Sequence, residues 1–281
     1  MNGAQPQHLI EENSMHSQHL PMTWEEFELM PMKLGWKHEY WDGQAHISPR
    51  WLSVTATCPV QLRPVHALCT IRPVAKHDEQ QLITGYVEAF RDAFDFCDWD
   101  PEKIQTAARD DIQDILSEQR GRFLAASRIA VETPSVTGKE KIVGAALITE
   151  SQGQPPLLDI LFTVPRWHRK GIATALVSAA SNALSSSQVK TLESRYFLGN
   201  EESRAWHQRF GFAEKPDLLV ASTYYHHTQR ELQRREILGD LLEKDRTKLL
   251  TERDYWRSQV QALEQVAREQ GMEAVRPALR R

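Results

Sequence analysis

The sequence predicts an α/β (α+β) fold in which a mixed central sheet is flanked by helices and followed by a C-terminal helical extension. Residues 157–164 form a nearly continuous apolar run, which is typical of a strand covered on both faces. A helix with small apolar residues on one face follows at 171–184, and strand and helix patterns alternate from residue 69 up to that run. Beyond residue 216 the pattern is helical and rich in charge.

The N-terminal part of the chain precedes this alternating pattern. Residues 1–21 are polar and lack periodicity, and we expect them to form a disordered tail. Residues 22–68 are predicted to add a short helix and a hairpin, because Thr23 and Glu26 have capping-box spacing and Asp42-Gly43 is a turn signal between two apolar segments.

Residues 69–215 are expected to form the main domain, because they carry the alternating pattern. One of its helices has a clear beginning, since Asp100 and Pro101 are favoured at the N-cap and at the first helical position. In chain order we predict a strand at 69–73, helices at 78–94 and 101–115, strands at 123–131 and 142–148, the central strand at 157–164, its helix, and a strand at 191–198.

Residues 216–281 are expected to form a helical extension. One helix is predicted up to residue 238, where Gly239 interrupts it, and a second continues to residue 270. Such a helix can be an arm that forms a homodimer through a coiled coil, or half of a pair that folds back on its own chain. Apolar residues recur every seven positions along the second helix, at Leu242, Leu249, Trp256 and Leu263.

Composition excludes several classes of protein. The chain has 281 residues, a formal net charge of −4 and a 41% hydrophobic fraction, so it can form a normal core and lacks the basic excess expected of a nucleic-acid-binding protein. Cys58, Cys69 and Cys97 have no paired spacing for zinc or a redox motif, and we expect no metal and a reducing, cytoplasmic compartment. No apolar run reaches the ~20 residues that span a bilayer, so no membrane contact is expected.

A short basic turn joins the central strand to its helix. The first N–H groups of a helix have no intrahelical partners and carry a partial positive charge, so this turn is a candidate anion site. Gly171 and Ala173 have little or no side chain to keep a ligand from the backbone, and Arg169 and Lys170 add charge. A phosphate fits this pattern, and an ordinary solvated loop is the alternative.

At these residues the chain resembles the acetyl-coenzyme A binding loop of the GCN5-related N-acetyltransferases. The signature of that loop is Arg or Gln, two residues, Gly, one residue, then Gly or Ala. The segment from His168 to Ala173 matches it except at the first position, where His168 replaces Arg or Gln. Downstream, the segment from Asn200 to Phe212 resembles a second motif of the family, with His207 in the place of its usual Tyr.

The resemblance implies a GNAT-like fold and an acetyl-coenzyme A dependent N-acetyltransferase, which transfers an acyl group to a small-molecule or peptide amine. It also implies that the turn binds the pyrophosphate and that the exposed edge of the central strand binds the pantetheine arm. The expected coenzyme contacts are Phe162, Thr163, Val164, His168, Arg169, Lys170, Gly171, Ile172, Ala173, Thr174 and Asn200.

The resemblance also suggests catalytic residues. An amine with a pKa near ~10 is mostly protonated at neutral pH, so a base must accept a proton. Asp159 on the central strand is the first candidate, and Glu193 on the next strand is the second. His207 stands where the family's Tyr protonates the departing thiolate, and an imidazolium can serve as that acid. A structural hydrogen bond for Asp159 and a surface position for His207 are the alternatives.

A second class of function is compatible with the same motifs. A coenzyme-binding regulatory or interaction module would keep the fold and the binding turn but would not catalyse transfer. The departures from the family pattern at His168 and His207 leave this alternative open.

Overall fold

The computed structural model describes residues 16–133 and 138–275. The chain divides into two compact units. One unit comprises the chain up to Val54, the segment Phe197–Glu201 and the chain from Pro216 onward; the other comprises Thr55–Tyr196 and Glu202–Lys215.

The second unit is built on an eight-stranded mixed sheet. Its strand order is β11-β4-β10-β9-β8-β7-β5, with β6 paired to β8. Strands β9 and β10 are parallel, whereas β8 and β9, β7 and β8, β5 and β7, and β4 and β11 are antiparallel. The strands are β4 (Ser53–Pro59), β5 (Thr70–Pro73), β6 (Arg122–Phe123), β7 (Arg128–Glu132), β8 (Lys141–Glu150), β9 (Leu157–Thr163), β10 (Thr191–Phe197) and β11 (Ala213–Lys215).

Helices cover both faces of this sheet. A Cβ added at Gly144 would approach Ile172 and Leu176 of α4, whereas Ala145, the next residue of β8, lies in the core formed with α2 and α3. Neighbouring residues of a strand point to opposite faces, so α4 lies on one side and the α2–α3 pair on the other. The helices of this unit are α2 (Glu79–Phe90), α3 (Pro101–Leu116), α4 (Ile172–Ser186) and α5 (Glu201–Phe210).

The mixed sheet with flanking helices confirms the predicted fold class. The predicted start of the main domain at residue 69 is too late, because β4 lies within the sheet, between β10 and β11. Three residues of β4, namely Val54, Ala56 and Cys58, are at most 2% exposed. Pairing across such a sequence separation depends on the tertiary fold, and a local pattern cannot predict it.

The N-terminal part of the first unit contains a helix and an antiparallel sheet of order β1-β3-β2. The predicted capping box is present, since the Thr23 N–H donates to Glu26 Oε2 (2.7 Å) and the Glu26 N–H donates to Thr23 Oγ1 (3.2 Å). The disordered tail predicted for residues 1–21 is wrong at its end, because residues 18–21 pair with β3; residues 1–15 lie outside the described part. The elements are β1 (Gln18–Pro21), α1 (Trp24–Leu29), β2 (Trp36–Trp41) and β3 (Gln44–Pro49).

Two long helices complete the first unit: α6 (Leu218–Leu238) and α7 (Glu243–Gln270). They pack against each other, with the rings of Tyr224 and Trp256 stacked at 4.1 Å, and Gly239 ends α6 in a left-handed conformation. Trp256, one of the heptad positions, thus packs against a helix of its own chain. The homodimer stays a prediction. Within residues 16–133 and 138–275, no helix is both long enough and apolar enough to cross a bilayer.

Candidate functional site

The turn between β9 and α4 has a backbone that favours small residues. Pro165–Trp167 form a short 3₁₀ turn, Arg169 has a φ of 58°, and Gly171 has a φ of 76° directly before α4. A left-handed φ is free of strain only for Gly. A Cβ built on Gly171 meets no atom within 4 Å, so this side of the turn is open.

The N–H groups of this turn form a candidate anion site. Within the described residues, the six N–H groups from Arg169 to Thr174 have no hydrogen-bond acceptor, and the first helical bond is from the Ala175 N–H to the Gly171 oxygen (2.9 Å). Arg169 and Lys170 are exposed beside them, and Lys170 Nζ lies 4.7 Å from the centroid of the Trp167 ring. Orphan donors, the helix dipole and two cationic side chains together suit a phosphate group.

His168, the residue that departs from the signature, is turned toward the protein. Its Nε2 lies 2.8 Å from the Thr163 carbonyl oxygen, which can only accept, so the ring N–H donates to the last residue of β9. This bond holds the strand end against the turn. His168 thus supports the backbone of the turn, and its contact with the coenzyme stays a prediction.

Strands β9 and β10 separate next to this turn. They pair only at Leu157 with Glu193 and at Leu158 with Ser194, while β9 stays paired with β8 as far as Thr163. Phe162 and Thr163 therefore lie past the last register pair between β9 and β10. Their backbone edge away from β8 faces the side where the two strands separate. The Val164 N–H is used within the sheet, because it donates to the Val143 oxygen (3.0 Å).

Asp159 lies at a bulge in β9. The register with β8 runs from Leu147 opposite Ile160 to Ile148 opposite Leu158, so the register shifts at Asp159. Bulges redirect side chains and are frequent beside active sites. The Asp159 residue is 8% exposed, and its carboxylate accepts from Arg120 Nη2 (2.8 Å) and from Thr149 Oγ1 (3.1 Å). The structural hydrogen bond considered for Asp159 is therefore present.

Glu193, the second candidate base, is held in an ion pair on its own strand. Its Oε1 accepts from Arg195 Nη2 at 2.8 Å, and both side chains are partly buried. Residues two apart on a strand share a face, which explains the contact. Glu193 is the register partner of Leu157, so it lies where the two parallel strands are still joined.

His207 is buried, so the surface position considered for it is wrong. Its Nδ1 lies 2.7 Å from the Ser203 carbonyl oxygen, which fixes the proton on Nδ1, and its Nε2 therefore accepts from Ser194 Oγ (2.9 Å). Burial lowers the pKa of His207 to about 4, although the Ser203 oxygen and Glu214 oppose the shift. The imidazolium acid expected at this position is therefore absent at neutral pH.

Asn200 lies in the turn directly before α5, where its N–H donates to the Phe197 oxygen (2.9 Å).

Two residues that contact the candidate site residues were missed by sequence reasoning. Ser194 binds His207 at the last register pair before β9 and β10 separate, and Arg120 binds Asp159. Neither stands in a local pattern, so only the fold could identify them.

The site therefore combines a mixed sheet that opens after Leu158 with a helix N-terminus that carries six orphan N–H groups, an arrangement that suits phosphates. Residues 87–212 match the model of the acetyltransferase (GNAT) family. The match includes both segments that resemble this family in sequence, residues 168–173 and 200–212. No curated protein matches the sequence significantly.

The solved structures that match this chain share little sequence with it. A GCN5-related N-acetyltransferase from Sphaerobacter thermophilus is 19% identical, with a TM-score of 0.42, over 58% of this chain and 48% of that one. The paia N-acetyltransferase from Thermoplasma acidophilum, solved with coenzyme A, is 15% identical, with a TM-score of 0.41, over 51% and 89%. An aminoglycoside 6'-N-acetyltransferase from Acinetobacter haemolyticus is 15% identical, with a TM-score of 0.37, over 52% and 92%. This chain thus spans about half of the first of these structures.

Proposed function

We propose that the chain is an acetyl-coenzyme A dependent N-acetyltransferase that acts on a small-molecule or peptide amine in the cytoplasm. The observation that carries this proposal is the row of orphan N–H groups from Arg169 to Thr174 beside the open side of Gly171, in a domain of the acetyltransferase family. These groups fit a pyrophosphate because they supply several donors and no competing carboxylate among residues 169–174.

The proposed reaction is direct transfer. The amine nitrogen attacks the thioester carbonyl carbon, a C–N bond forms, the C–S bond breaks, and the proton lost by the amine balances the proton gained by the thiolate. Phe162 and Thr163 lie beyond the last register pair of β9 with β10, where an extended pantetheine arm would lie along the strand. Such a strand edge would orient the thioester and polarise its carbonyl.

Asp159 is the proposed base, and Glu193 is the second candidate. Asp159 is favoured because the bulge sets it apart from the regular alternation of β9, whereas Glu193 is bound to Arg195 on the joined part of the strands. His207 enters the proposal as a neutral group that orients the Ser194 hydroxyl. Protonation of the thiolate is then left to water.

Calorimetric titration with acetyl-coenzyme A tests the binding half of the proposal, and we expect a single site. Release of free thiol then tests transfer, with a panel of an aminoglycoside, a polyamine, and peptides that carry a free α-amino group or a Lys. Transfer to at least one amine is expected. Binding without transfer would favour a regulatory module, and failure to bind would overturn both functions.

A further inference from the structure

Five side chains from five different segments of the second unit form a continuous network at the bulge of β9. Arg120 lies at its centre, with Nη1 2.6 Å from Asp111 Oδ1 and Nη2 2.8 Å from Asp159 Oδ1. At one end the Tyr86 hydroxyl donates to Asp111 Oδ2 (2.7 Å). At the other end Thr149 Oγ1 donates to Asp159 Oδ2 (3.1 Å). The network joins α2 and α3 to β8 and β9.

Exposure changes along the network. The side chain of Asp159 is 2% exposed, that of Arg120 is 19% exposed and that of Asp111 is 36% exposed. Tyr86 is neutral, because burial and the neighbouring Asp111 and Asp95 raise its pKa well above 10, against a smaller opposite effect of Arg120. Arg120 thus connects a carboxylate that reaches the surface with one enclosed at the strand.

Stability alone is a poor explanation for this arrangement. Replacing a buried ion pair by apolar residues of similar volume is often neutral or stabilising, because desolvation opposes the attraction between the charges. Each oxygen of Asp159 does, however, accept from a different donor, Oδ1 from Arg120 and Oδ2 from Thr149, and the two bonds together fix the direction of the carboxylate. Arg120 binds Asp159, which is the residue at the bulge and lies one position beyond the last register pair of β9 with β10.

We propose that Arg120 is a positioning residue for acyl transfer, which holds the Asp159 carboxylate in the direction needed to receive a proton from the amine. This inference rests on the proposed function. Asp111 and Tyr86 hold Arg120 in turn, so that the orientation of Asp159 is tied to helices α2 and α3. The charged and titratable groups of the network are Asp111, Arg120, Tyr86 and Asp159, with Asp95 acting on Tyr86.

The test uses the full chain, acetyl-coenzyme A and the amine that reacts fastest in the panel, over the pH range of activity. In Arg120→Met, kcat should fall by about 100-fold, the scale of a misplaced reacting group. KM for acetyl-coenzyme A should not change. Arg120→Lys should restore kcat only in part, because it returns the charge without the planar donors.

Arg122→Met is the matched control, because Arg122 is two residues away and also forms an ion pair, with Glu150, but is 67% exposed. It should leave kcat and KM unchanged. If Arg120→Met does not fold, Asp111→Asn replaces it and should lower kcat several-fold at unchanged KM for the coenzyme. A wild-type kcat in either variant would overturn the inference alone. A wild-type chain that acetylates none of the amines would overturn the proposed function and this inference with it.

Discussion

Two regions at either end of β9 differ in how they are built. The turn that follows the strand is made of consecutive residues, and its donors are backbone N–H groups from Arg169 to Thr174. The network at the bulge is made of side chains from distant segments, centred on Arg120 and Asp159. The turn can therefore be recognised along the sequence, whereas the network exists only in the folded chain. The first should be sensitive to backbone shape, and the second to the loss of single partners.

Removal of β4 should have the largest effect on the fold, because it removes pairing between segments that are distant in the sequence. A chain that begins at residue 69 lacks a strand from the interior of the sheet, and β10 and β11 lose their pairing partner. We expect it to show no cooperative thermal unfolding by circular dichroism, because unpaired buried strands leave backbone groups unsatisfied. Deletion of residues 1–15, which are polar and without periodicity, should leave Tm unchanged. Cooperative unfolding of the shorter chain would show that β4 is dispensable.

Asp159→Asn tests the network by removing one charge. Arg120 keeps Asp111 as its other partner, so we expect the free energy of unfolding to fall by about 3 kcal/mol, the lower end of the range for breaking a buried pair. Glu150→Gln is the control: its partner Arg122 is 67% exposed, so the loss of stability should be much smaller. Urea denaturation measures both. Equal losses in the two variants would mean that burial has no role at the bulge.

The stability of the fold should depend on pH through His207. Its folded pKa is about 4, against the ordinary 6.5, so between these values the unfolded chain binds the proton and the folded chain does not. Stability is therefore lost as pH falls from 6.5 towards 4, by at most about 3 kcal/mol for this residue. His38 in the other unit, whose pKa burial also lowers to about 4, should add a second loss of the same sign.

Denaturation curves for His207→Phe should show a weaker dependence on pH than wild type over that range. His66→Gln, at an exposed position, should keep the wild-type dependence. An unchanged slope in the Phe variant would contradict the neutral, buried state of His207. An acetylation rate close to that of wild type in the same variant would also be expected if water protonates the thiolate.

Gly171→Val tests the turn. Its left-handed φ of 76° should cost about 1 kcal/mol of stability, and the new side chain would occupy the open side where phosphates approach. We expect affinity for acetyl-coenzyme A to fall by about 100-fold, equivalent to one or two charge-assisted hydrogen bonds. Gly153→Val is a close match, with a φ of 75° and no atom within 4 Å of the added Cβ. It should lose similar stability and no affinity; equal affinity of the two variants would remove the turn from the coenzyme site.

Local chemistry explains which parts of the fold were predictable. The capping box at Thr23, the helix start at Asp100 and the turn before α4 each depend on residues within four positions of one another, and each is present. Most of the order of helices and strands from residue 70 onward follows for the same reason, but the strand predicted at 123–131 is two strands, β6 and β7, and β11 was not predicted. The end of the tail at residue 18 and the position of β4 were missed, because a strand on its own does not reveal its partner.

The candidate site shows the same division. By itself the sequence determined the candidate anion-binding turn, since a Gly and a helix start provide N–H groups without help from distant residues. The tertiary structure decided the states of the side chains. His207 is neutral because α5 buries it against β10, and Asp159 is clamped because α3 ends at a turn that brings Arg120 to the bulge. Burial and partners set the charge and direction of a side chain, and both arise only when distant segments pack together.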